Sequence, residues 1–545
     1  SVSKAQGEQI VAKIVKRTGR KKSEVEARAK RAWVVAKIAS KSTVFETEEE
    51  GINAMNVVAA TIMAGSKVRV LVETPDEDDA SFRLLHPTEA RHWFAPWRVL
   101  GEDAKGEPKQ YPLFPIWIAS ADRRQYGNIT FNPGGNVDRR HYNTWSGLKV
   151  APPDRTIRHD AEPGGWRLLE RHIFAVLCGG DPELFEYAMA WLSDIVQAPA
   201  YKPGVAMVLN SPERGTGKST LGNVLQRILG RHAQKLSGAG SLTSKFNASV
   251  AEALVVIGEE VLFSGDRAAA NAMKAAITED TVQLERKGID PVQVRSYSRY
   301  LLCSNEARAA PAETGTERRY FILRVGAQHA GDRDYFDALY REIENGGTEA
   351  FLEALLSFDT SRANLRNPPK TDALAEQVEE NLRGAERWWL DVLKSGAFPG
   401  EGGVDLDEPK DWDTQSVSVS REQVFQSFNS NVTTYGQKVA TGAQIGSFLA
   451  KYVPGLKTRQ PRVGGKQERH YEFPPLPECV AEFERVTGVR LGLNDAQPAN
   501  VARVDVSPSD DLWYEAGRLL EMDATIAMIL GPDEANLVQR YEAVG

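Results

Sequence analysis

The chain has 545 residues, which is too long for a single hydrophobic core and predicts several domains. Its hydrophobic content of 41% and charged content of 26% are those of a soluble globular protein, and no apolar run approaches the roughly 18 residues that a membrane span needs. Three widely spaced cysteines argue against a disulfide framework or a cysteine zinc site. They favour a location in a reducing compartment, the cytoplasm. The net charge of −7 does not by itself indicate a nucleic-acid-binding protein, but the charge is unevenly distributed.

The N-terminal segment, residues 1–42, is strongly basic. Residues 1–41 contain twelve Lys or Arg and three Glu, and the apolar spacing from Ser23 to Ala39 predicts an amphipathic helix. Such a helix face is either solvated or in contact with nucleic acid, because lysine and arginine release counterions when they neutralise phosphates. The sequence leaves these two interpretations open.

Residues 43–150 are predicted to form a small α/β domain, since short apolar runs such as VRVLVE alternate with Pro, Gly and Asp breaks. We expect the tryptophans of HWFAPWRV and YNTWSGL to pack in the core rather than to stack on bases. The acidic run PDEDD, residues 75–79, is interpreted as a polar turn rather than a metal site. Residues 151–200 are predicted to be helical, with a Gly-Gly-Asp-Pro break between two helices.

From residue 201 to residue 375 apolar strands alternate with helices, which predicts an α/β domain with a parallel sheet. VAMVL is a predicted strand, TLGNVLQRIL is a predicted helix, and the loop between them is nearly a phosphate-binding loop. Gly217, Lys218 and Ser219 match the G-x-x-x-x-G-K-[ST] pattern, but Pro212 replaces its first glycine. Proline suits this position, because the loop entrance needs a turn rather than a close approach to phosphate.

We predict that this loop binds ATP together with Mg²⁺. Inward-pointing backbone N–H groups, the positive end of the helix dipole and the Lys218 ammonium group would hold the phosphates, and the Ser219 hydroxyl would reach the metal. The predicted nucleotide-binding residues are Gly215, Thr216, Gly217, Lys218, Ser219 and Thr220.

Three further motifs follow the loop. ALVVIGEEV ends in Glu259, assigned to the metal, and Glu260, assigned to the attacking water, although these two roles could be exchanged. RYLLCSNE carries Asn305 just after a predicted strand, where an amide would hold the water beside the γ-phosphate. GTERRYFIL places Arg318 and Arg319 before another strand, as structural ion-pairing residues or as an arginine finger.

The ordered motifs GTGKST, VVIGEE, AMKAAITEDTVQLERKG, LLCSNE and ERRYF resemble those of superfamily 3 helicases of the AAA+ class. The most similar variety is the helicase part of phage primase-helicases, and the resemblance covers roughly residues 125–375. It implies a ring, usually a hexamer, in which ATP lies between subunits and Arg318 or Arg319 reaches the neighbour's ATP. It also implies translocation on single-stranded DNA, typically in the 3′ to 5′ direction.

The same resemblance implies a β-hairpin that projects into the central pore and grips DNA. Lys274 would lie near the start of this motif, and Arg286 and Lys287 would lie at the hairpin tip; a solvated surface hairpin is the alternative. The chain departs from the family in that residues 1–150 contain no recognisable primase active site or zinc motif, so primer synthesis is not expected.

The last predicted units differ in charge. Residues 376–490 are predicted to be helical and winged-helix-like, because two helices precede a hairpin with a Gly-Gly tip. Its basic segment either binds duplex or forked DNA or is solvated, and residues 491–545 form an acidic segment that is either solvated or docks to a replication partner. The candidate DNA-binding residues of the basic segment are Arg459, Arg462, Lys466 and Arg469.

The sequence therefore predicts an α/β protein with an AAA+ P-loop NTPase core, preceded by small α/β and helical regions and followed by a winged-helix-like domain. The leading functional hypothesis is an ATP-dependent DNA helicase, a homo-oligomeric ring that acts in the replication of a phage, plasmid or other mobile element. The alternative is a replication initiator or loader that assembles on origin DNA and unwinds little. A non-enzymatic scaffold is disfavoured by the intact set of Lys218, Glu259, Glu260, Asn305, Arg318 and Arg319.

Overall fold

The computed structural model describes most of the chain between residues 43 and 491. The described ranges are 43–73, 82–135, 137–153, 165–237, 248–259, 267–285, 291–314, 317–398, 410–434, 441–463 and 466–491. Several predictions lie outside these ranges, namely those for the basic N-terminal helix, PDEDD, Glu260, Arg286, Lys287 and the acidic segment beyond residue 491. Within the described ranges, no helix combines the length and the apolar character required to cross a bilayer.

Two small sheets form the first part of the described chain. Their elements are β1 (Val44–Phe45), α1 (Glu48–Val58), β2 (Ala59–Ala64), β3 (Lys67–Glu73), β4 (Phe82–Leu85), α2 (Pro87–Trp93), β5 (Arg98–Glu102), β6 (Pro108–Pro112), α3 (Leu113–Ala119) and β7 (Gln125–Tyr126). One sheet has the order β4-β3-β2-β7 and the other the order β1-β5-β6. Phe94, Trp97 and Trp117 belong to their shared core. Trp93 is 49% exposed, so the predicted burial of the HWFAPWRV tryptophans holds for Trp97 alone.

A short parallel pair, β8 (Asn128–Thr130) and β9 (His141–Asn143), lies between this part and the region that contains the parallel sheet. After it, Phe131 and Trp145 lie against the buried His232, with ring centroids 5.2 and 4.6 Å from the imidazole. These aromatic contacts fix the connection onto the domain that carries the phosphate loop.

The helical stretch that follows has the predicted Gly-Gly-Asp-Pro break. Its elements are α4 (Arg167–Arg171), a π-helix (His172–Leu177) and α5 (Pro182–Gln197). Asp181 caps α5 by accepting hydrogen bonds from the backbone N–H groups of Glu183 at 2.8 Å and Leu184 at 3.1 Å. The π-helix was not predicted, and it places His172 in the interior.

The next region contains the predicted parallel sheet. Its elements are β10 (Ala206–Asn210), α6 (Lys218–Leu229), β11 (Ala233–Ser237), α7 (Ala248–Ala251), β12 (Val255–Glu259), α8 (Arg267–Thr278), β13 (Thr281–Leu284), β14 (Val292–Arg295), β15 (Arg299–Ser304) and β16 (Tyr320–Arg324). Five parallel strands pair in the order β11-β12-β15-β10-β16. The central strands are buried along almost their whole length, which explains why their sequences are continuous apolar runs rather than alternating ones.

A β-hairpin, β13 and β14, emerges between α8 and β15 at the predicted position. The register pairs Thr281 with Arg295 and Leu284 with Val292, and the residues predicted for the tip, Arg286 and Lys287, lie outside the described part of the chain.

The rest of the described chain is helical and ends in a small antiparallel sheet. Its elements are α9 (Arg333–Glu342), α10 (Thr348–Ser357), α11 (Asp372–Asn381), α12 (Ala385–Ser395), α13 (Lys410–Thr414), β17 (Val417–Ser420), α14 (Arg421–Thr434), α15 (Gly442–Tyr452), β18 (Lys457–Arg459), β19 (Arg462–Val463), β20 (Lys466–Gln467), β21 (His470–Phe473) and α16 (Leu476–Thr487). The sheet has the order β17-β21-β18, and β19 pairs with β20. The two predicted helices, α14 and α15, therefore precede a hairpin as expected, around a core that includes Trp388, Trp389 and Phe473.

Candidate nucleotide site and DNA-facing elements

The loop between β10 and α6, which is predicted to bind phosphate, depends on its glycines. Gly215 and Gly217 have φ angles of +70° and +87°, a region that residues with a Cβ atom rarely adopt. A Cβ atom on Gly217 would also lie 2.4 Å from Cε1 of His172 and 2.8 Å from Cε1 of Phe336. Glycine is therefore required at position 217 both by the backbone conformation and by the packing beneath the loop.

The Lys218 side chain lies inside this loop. Its Nζ donates to the carbonyl of Glu213 at 3.0 Å and to Oγ1 of Thr216 at 3.2 Å. Burial lowers the pKa of Lys218, because the charged form loses hydration. Thr216 and Thr220 are each 1% exposed, and Ser219 is the second residue of α6. The predicted nucleotide-binding residues thus lie in this loop and in the first turn of α6, with the lysine ammonium group at the loop's interior.

His172 supports the loop from below. Its ring hydrogen-bonds through Nε2 to the carbonyl of Gly217 at 3.2 Å and through Nδ1 to the hydroxyl of Tyr335 at 3.1 Å. Burial is the largest cause that lowers the pKa of His172 to about 4, so the imidazole is neutral at pH 7. Nε2–H then donates to the Gly217 carbonyl, and Nδ1 accepts from Tyr335. Tyr335 in turn stacks on His329, with ring centroids 3.7 Å apart.

Acidification should therefore weaken this support. The folded-state pKa of His172 lies below its ordinary value of 6.5, so the unfolded chain binds the proton first and stability falls as the pH falls from 6.5 to 4. We expect this residue to account for about 3 kcal/mol of that loss. The measurement is urea unfolding at both pH values for the wild type and His172→Gln, which cannot titrate. An equal pH dependence in the two proteins would contradict the assignment.

Glu259 ends β12 at the same edge of the sheet. In the register it lies opposite Cys303 of β15, whose Sγ is 3.6 Å from the carbonyl of Lys218. A Glu259 carboxylate oxygen lies 3.4 Å from Nζ of Lys235, and the same ammonium group donates to Oδ1 of Asn223 at 2.7 Å. Lys235 was not among the predicted site residues. The feature of the sequence that could have identified it is its position in β11, the strand that pairs with β12.

Asn305 follows β15, the strand that lies between β10 and β12. Its side-chain Oδ1 is buried and accepts no hydrogen bond from the residues that the structure describes. A buried amide oxygen without a hydrogen-bond donor costs about 1–3 kcal/mol. Such a group is explained when a bound ligand or its water supplies the missing donor. The Asn305 amide therefore lies where the sequence predicts it, at the edge of the sheet that carries the phosphate loop.

The two arginines lie at the opposite edge of the sheet. The carbonyl of Arg319 accepts from the N–H of Ala206, the first residue of β10, at 2.8 Å. Because β10 runs from there to the phosphate loop, about five residues at ~3.3 Å each separate the arginines from the loop of the same chain. The fold does not bring Arg318 or Arg319 to that chain's own phosphate loop.

The surroundings of the two arginines differ. Arg319 pairs with Glu317 at 3.2 Å and approaches Glu313 at 3.8 Å, and the Glu317 side chain is only 3% exposed. Arg318 is exposed. Arg319 thus has a structural ion pair, whereas Arg318 is presented to the surface.

Two predicted or neighbouring lysines near the β13–β14 hairpin have different partners, and Lys202 holds the base of the hairpin. Lys202 donates to the carbonyls of Ala276 and Glu279, both at 2.7 Å, and burial lowers its pKa to about 8. Lys274, a predicted DNA-binding residue, is ion-paired with Glu313, and its side chain is only 16% exposed. This placement favours a structural role for Lys274, which links α8 to the segment before β16, over a contact with DNA.

The basic residues of the C-terminal hairpin lie mostly on the surface. Arg459 pairs with Glu472 at 2.8 Å while its side chain stays 65% exposed, and Arg462 and Arg469 are exposed. Lys466 begins β20; its side chain is outside the described part of the structure. Arg462 and Arg469 are therefore accessible, which is what a contact with DNA backbone requires.

Parts of the chain are similar in sequence to a protein family and to a phage protein. Residues 209–319 match the profile of a family of unknown function, DUF5906, and this span runs from the end of β10 to Arg319. A protein named DNA primase-polymerase, from Nitratiruptor phage NrS-1, is 25% identical over 215 residues, which are 37% of this chain and 29% of that protein. The chain therefore matches less than a third of the length of this relative.

Solved structures of the C-terminal region of the NrS-1 protein have a similar fold. The apo structure of its residues 305–718 aligns with a TM-score of 0.52 at 14% identity and covers 76% of this chain and 95% of that one. Another structure, the A form apo structure of the same C-terminal region, gives a TM-score of 0.53, also at 14% identity, with 76% and 96% covered. The chain is thus related to a phage primase-polymerase and shares the fold of its C-terminal region.

Proposed function

We propose that this protein is an ATP-dependent DNA helicase that acts in phage DNA replication. The observation that carries the proposal is the shared sheet edge: the phosphate loop with Lys218, the carboxylate of Glu259 and the unsatisfied amide oxygen of Asn305 follow three neighbouring strands. The strand that ends in the loop is separated from the acidic strand by the strand that precedes Asn305. This order supports an AAA+ core, in which an amide can reach a water between the phosphate and the acidic residue.

The residues of the site fit ATP with Mg²⁺. Among the described residues no group of three or more His, Cys, Asp or Glu could hold a metal alone, but Mg²⁺ typically takes one or two protein oxygens together with phosphate oxygens. The Ser219 hydroxyl and the Glu259 carboxylate supply such oxygens. Bound there, the metal would neutralise charge on the β- and γ-phosphates.

The chain's own groups then perform the hydrolysis. Lys218 and the loop N–H groups hold the phosphates, Asn305 orients the water, and Glu260 accepts its proton. Arg318 stabilises the phosphoryl group that is transferred at the adjacent subunit, because Arg318 lies too far from the phosphate loop of its own chain. The site is therefore complete only between two copies of the chain, which makes an oligomeric ring part of the proposal.

The comparisons support the replication role rather than the helicase step. The relative from phage NrS-1 is named a primase-polymerase, and the fold shared with this chain is that of its C-terminal region. We do not extend primer synthesis to this chain. The cationic hairpin tip and the C-terminal basic residues would contact single-stranded or forked DNA through phosphates, without reading its sequence.

Strand displacement from a forked duplex tests the proposal. We expect the wild type to release the labelled strand with ATP and Mg²⁺ but not with a non-hydrolysable analogue. The control is Lys105→Ala, which changes an exposed lysine far in sequence from the phosphate loop and should be as active as the wild type. ATP hydrolysis without strand release would instead favour a replication initiator or loader.

A further inference from the structure

We propose that a cleft beside the second half of α6 binds one nucleotide unit of single-stranded DNA, separately from the phosphate loop. The inference rests on the proposed function. The cleft has a volume of about 500 Å³ and lies between α6, the start of β11 and Tyr340 of α9. That size is within the range of clefts that hold small ligands.

The charge of the cleft suits a phosphate. Lys149, Arg227 and Arg231 line it, and its described lining includes no carboxylate. Arg227 is oriented by an ion pair with the exposed Glu344 at 2.9 Å, and Arg231 donates to the carbonyl of Thr144. Guanidinium groups held in this way lose little freedom on binding, and their geometry matches phosphate oxygens.

Amide side chains in the same cleft suit a base. Asn223, Gln226 and Gln234 line it together with Tyr340. Amides present a donor and an acceptor together, which is the pattern that base edges require, and an aromatic ring offers a surface for stacking. A simple anion would use the cations alone, so the combination favours a nucleotide unit.

The cleft also touches the nucleotide site. The hydroxyl of Tyr340 lies 3.1 Å from Nδ2 of Asn223 and 3.4 Å from Oγ1 of Thr220, which belongs to the phosphate-loop motif. Asn223 accepts a hydrogen bond from Lys235, which is 3.4 Å from Glu259. DNA in the cleft would contact Tyr340 and Asn223, which contact Thr220 on one side of the proposed ATP site and Lys235, the neighbour of Glu259, on the other. Binding of DNA should therefore raise the rate of ATP hydrolysis.

The test compares two doubly substituted proteins of equal charge. Lys149→Gln with Arg227→Gln removes two exposed cations of the cleft, and Arg91→Gln with Lys105→Gln removes two exposed cations elsewhere. Binding of a fluorescent single-stranded oligonucleotide of mixed sequence is measured by anisotropy over a range of salt concentrations. We expect the cleft variant to bind about tenfold more weakly, and the slope of log K against log salt to become shallower by about 1.4, or 0.7 for each lost phosphate contact.

The control variant should keep the wild-type affinity and slope. Both variants should keep the basal rate of ATP hydrolysis, and only the cleft variant should lose stimulation by the oligonucleotide. An unchanged affinity and slope in the cleft variant would overturn the proposal. So would displacement of the oligonucleotide by ADP in the Lys218→Ala background, because the cleft would then hold a free nucleotide. Absence of ATP hydrolysis in the wild type would refute the proposed function, while the affinity measurement would still decide the cleft.

Discussion

The Lys218→Ala protein should hydrolyse ATP at least about a hundredfold more slowly than the wild type, because a cation aimed at developing phosphoryl charge contributes this much or more. Lys218 lies inside the loop, where Glu213 and Thr216 accept its hydrogen bonds. Removal of the ammonium group leaves the glycine-dependent backbone intact, so the fold should persist. The measurement is steady-state phosphate release with Mg²⁺, together with circular dichroism.

Lys105→Ala is the matched control, since Lys105 is exposed in the loop between β5 and β6. It should hydrolyse ATP at the wild-type rate. If Lys218→Ala retained wild-type hydrolysis with normal secondary structure, the loop would not be the catalytic site.

The Arg318→Ala protein should lose ATP hydrolysis, whereas the Arg319→Ala protein should lose stability. Arg318 is exposed, so its loss should lower ATP hydrolysis by about a hundredfold or more, as loss of an arginine finger does, and leave stability unchanged. Loss of Arg319 leaves the Glu317 carboxylate, 3% exposed, without its ion-pair partner. That should destabilise the protein by about 1–3 kcal/mol.

Turnover and urea unfolding separate these outcomes, with Arg91→Ala as a control for loss of an exposed arginine. Two outcomes would exchange the roles of the two residues. One is a large loss of stability in Arg318→Ala; the other is full ATP turnover in Arg318→Ala together with loss of turnover in Arg319→Ala.

The loop between β10 and α6 and the strands around it could be predicted because their signals are local. The loop residues are contiguous between β10 and α6, and each central strand is an apolar run with a polar residue at its end. The hairpin was likewise predicted, because a turn-forming glycine lies between two strand-like runs.

The supports of the site could not be predicted in this way, because they come from distant parts of the chain. His172 reaches Gly217 across 45 residues from an unpredicted π-helix, and nothing in its neighbours distinguishes it from an ordinary core histidine. The pairing of Lys274 with Glu313 crosses 39 residues. The sequence likewise does not reveal that the arginines lie at the edge of the sheet opposite the phosphate loop, since this depends on strand direction.

The most direct test of an ATP site shared between subunits is to mix two inactive proteins, Lys218→Ala and Arg318→Ala, in equal amounts under conditions that exchange subunits. In a head-to-tail ring one interface in four would combine an intact Lys218 with a neighbour's intact Arg318, so hydrolysis should recover to about a quarter of the wild-type rate. Recovery of that size is the result we predict. A mixture as inactive as either protein alone, despite demonstrated subunit exchange, would contradict an ATP site completed by the adjacent subunit.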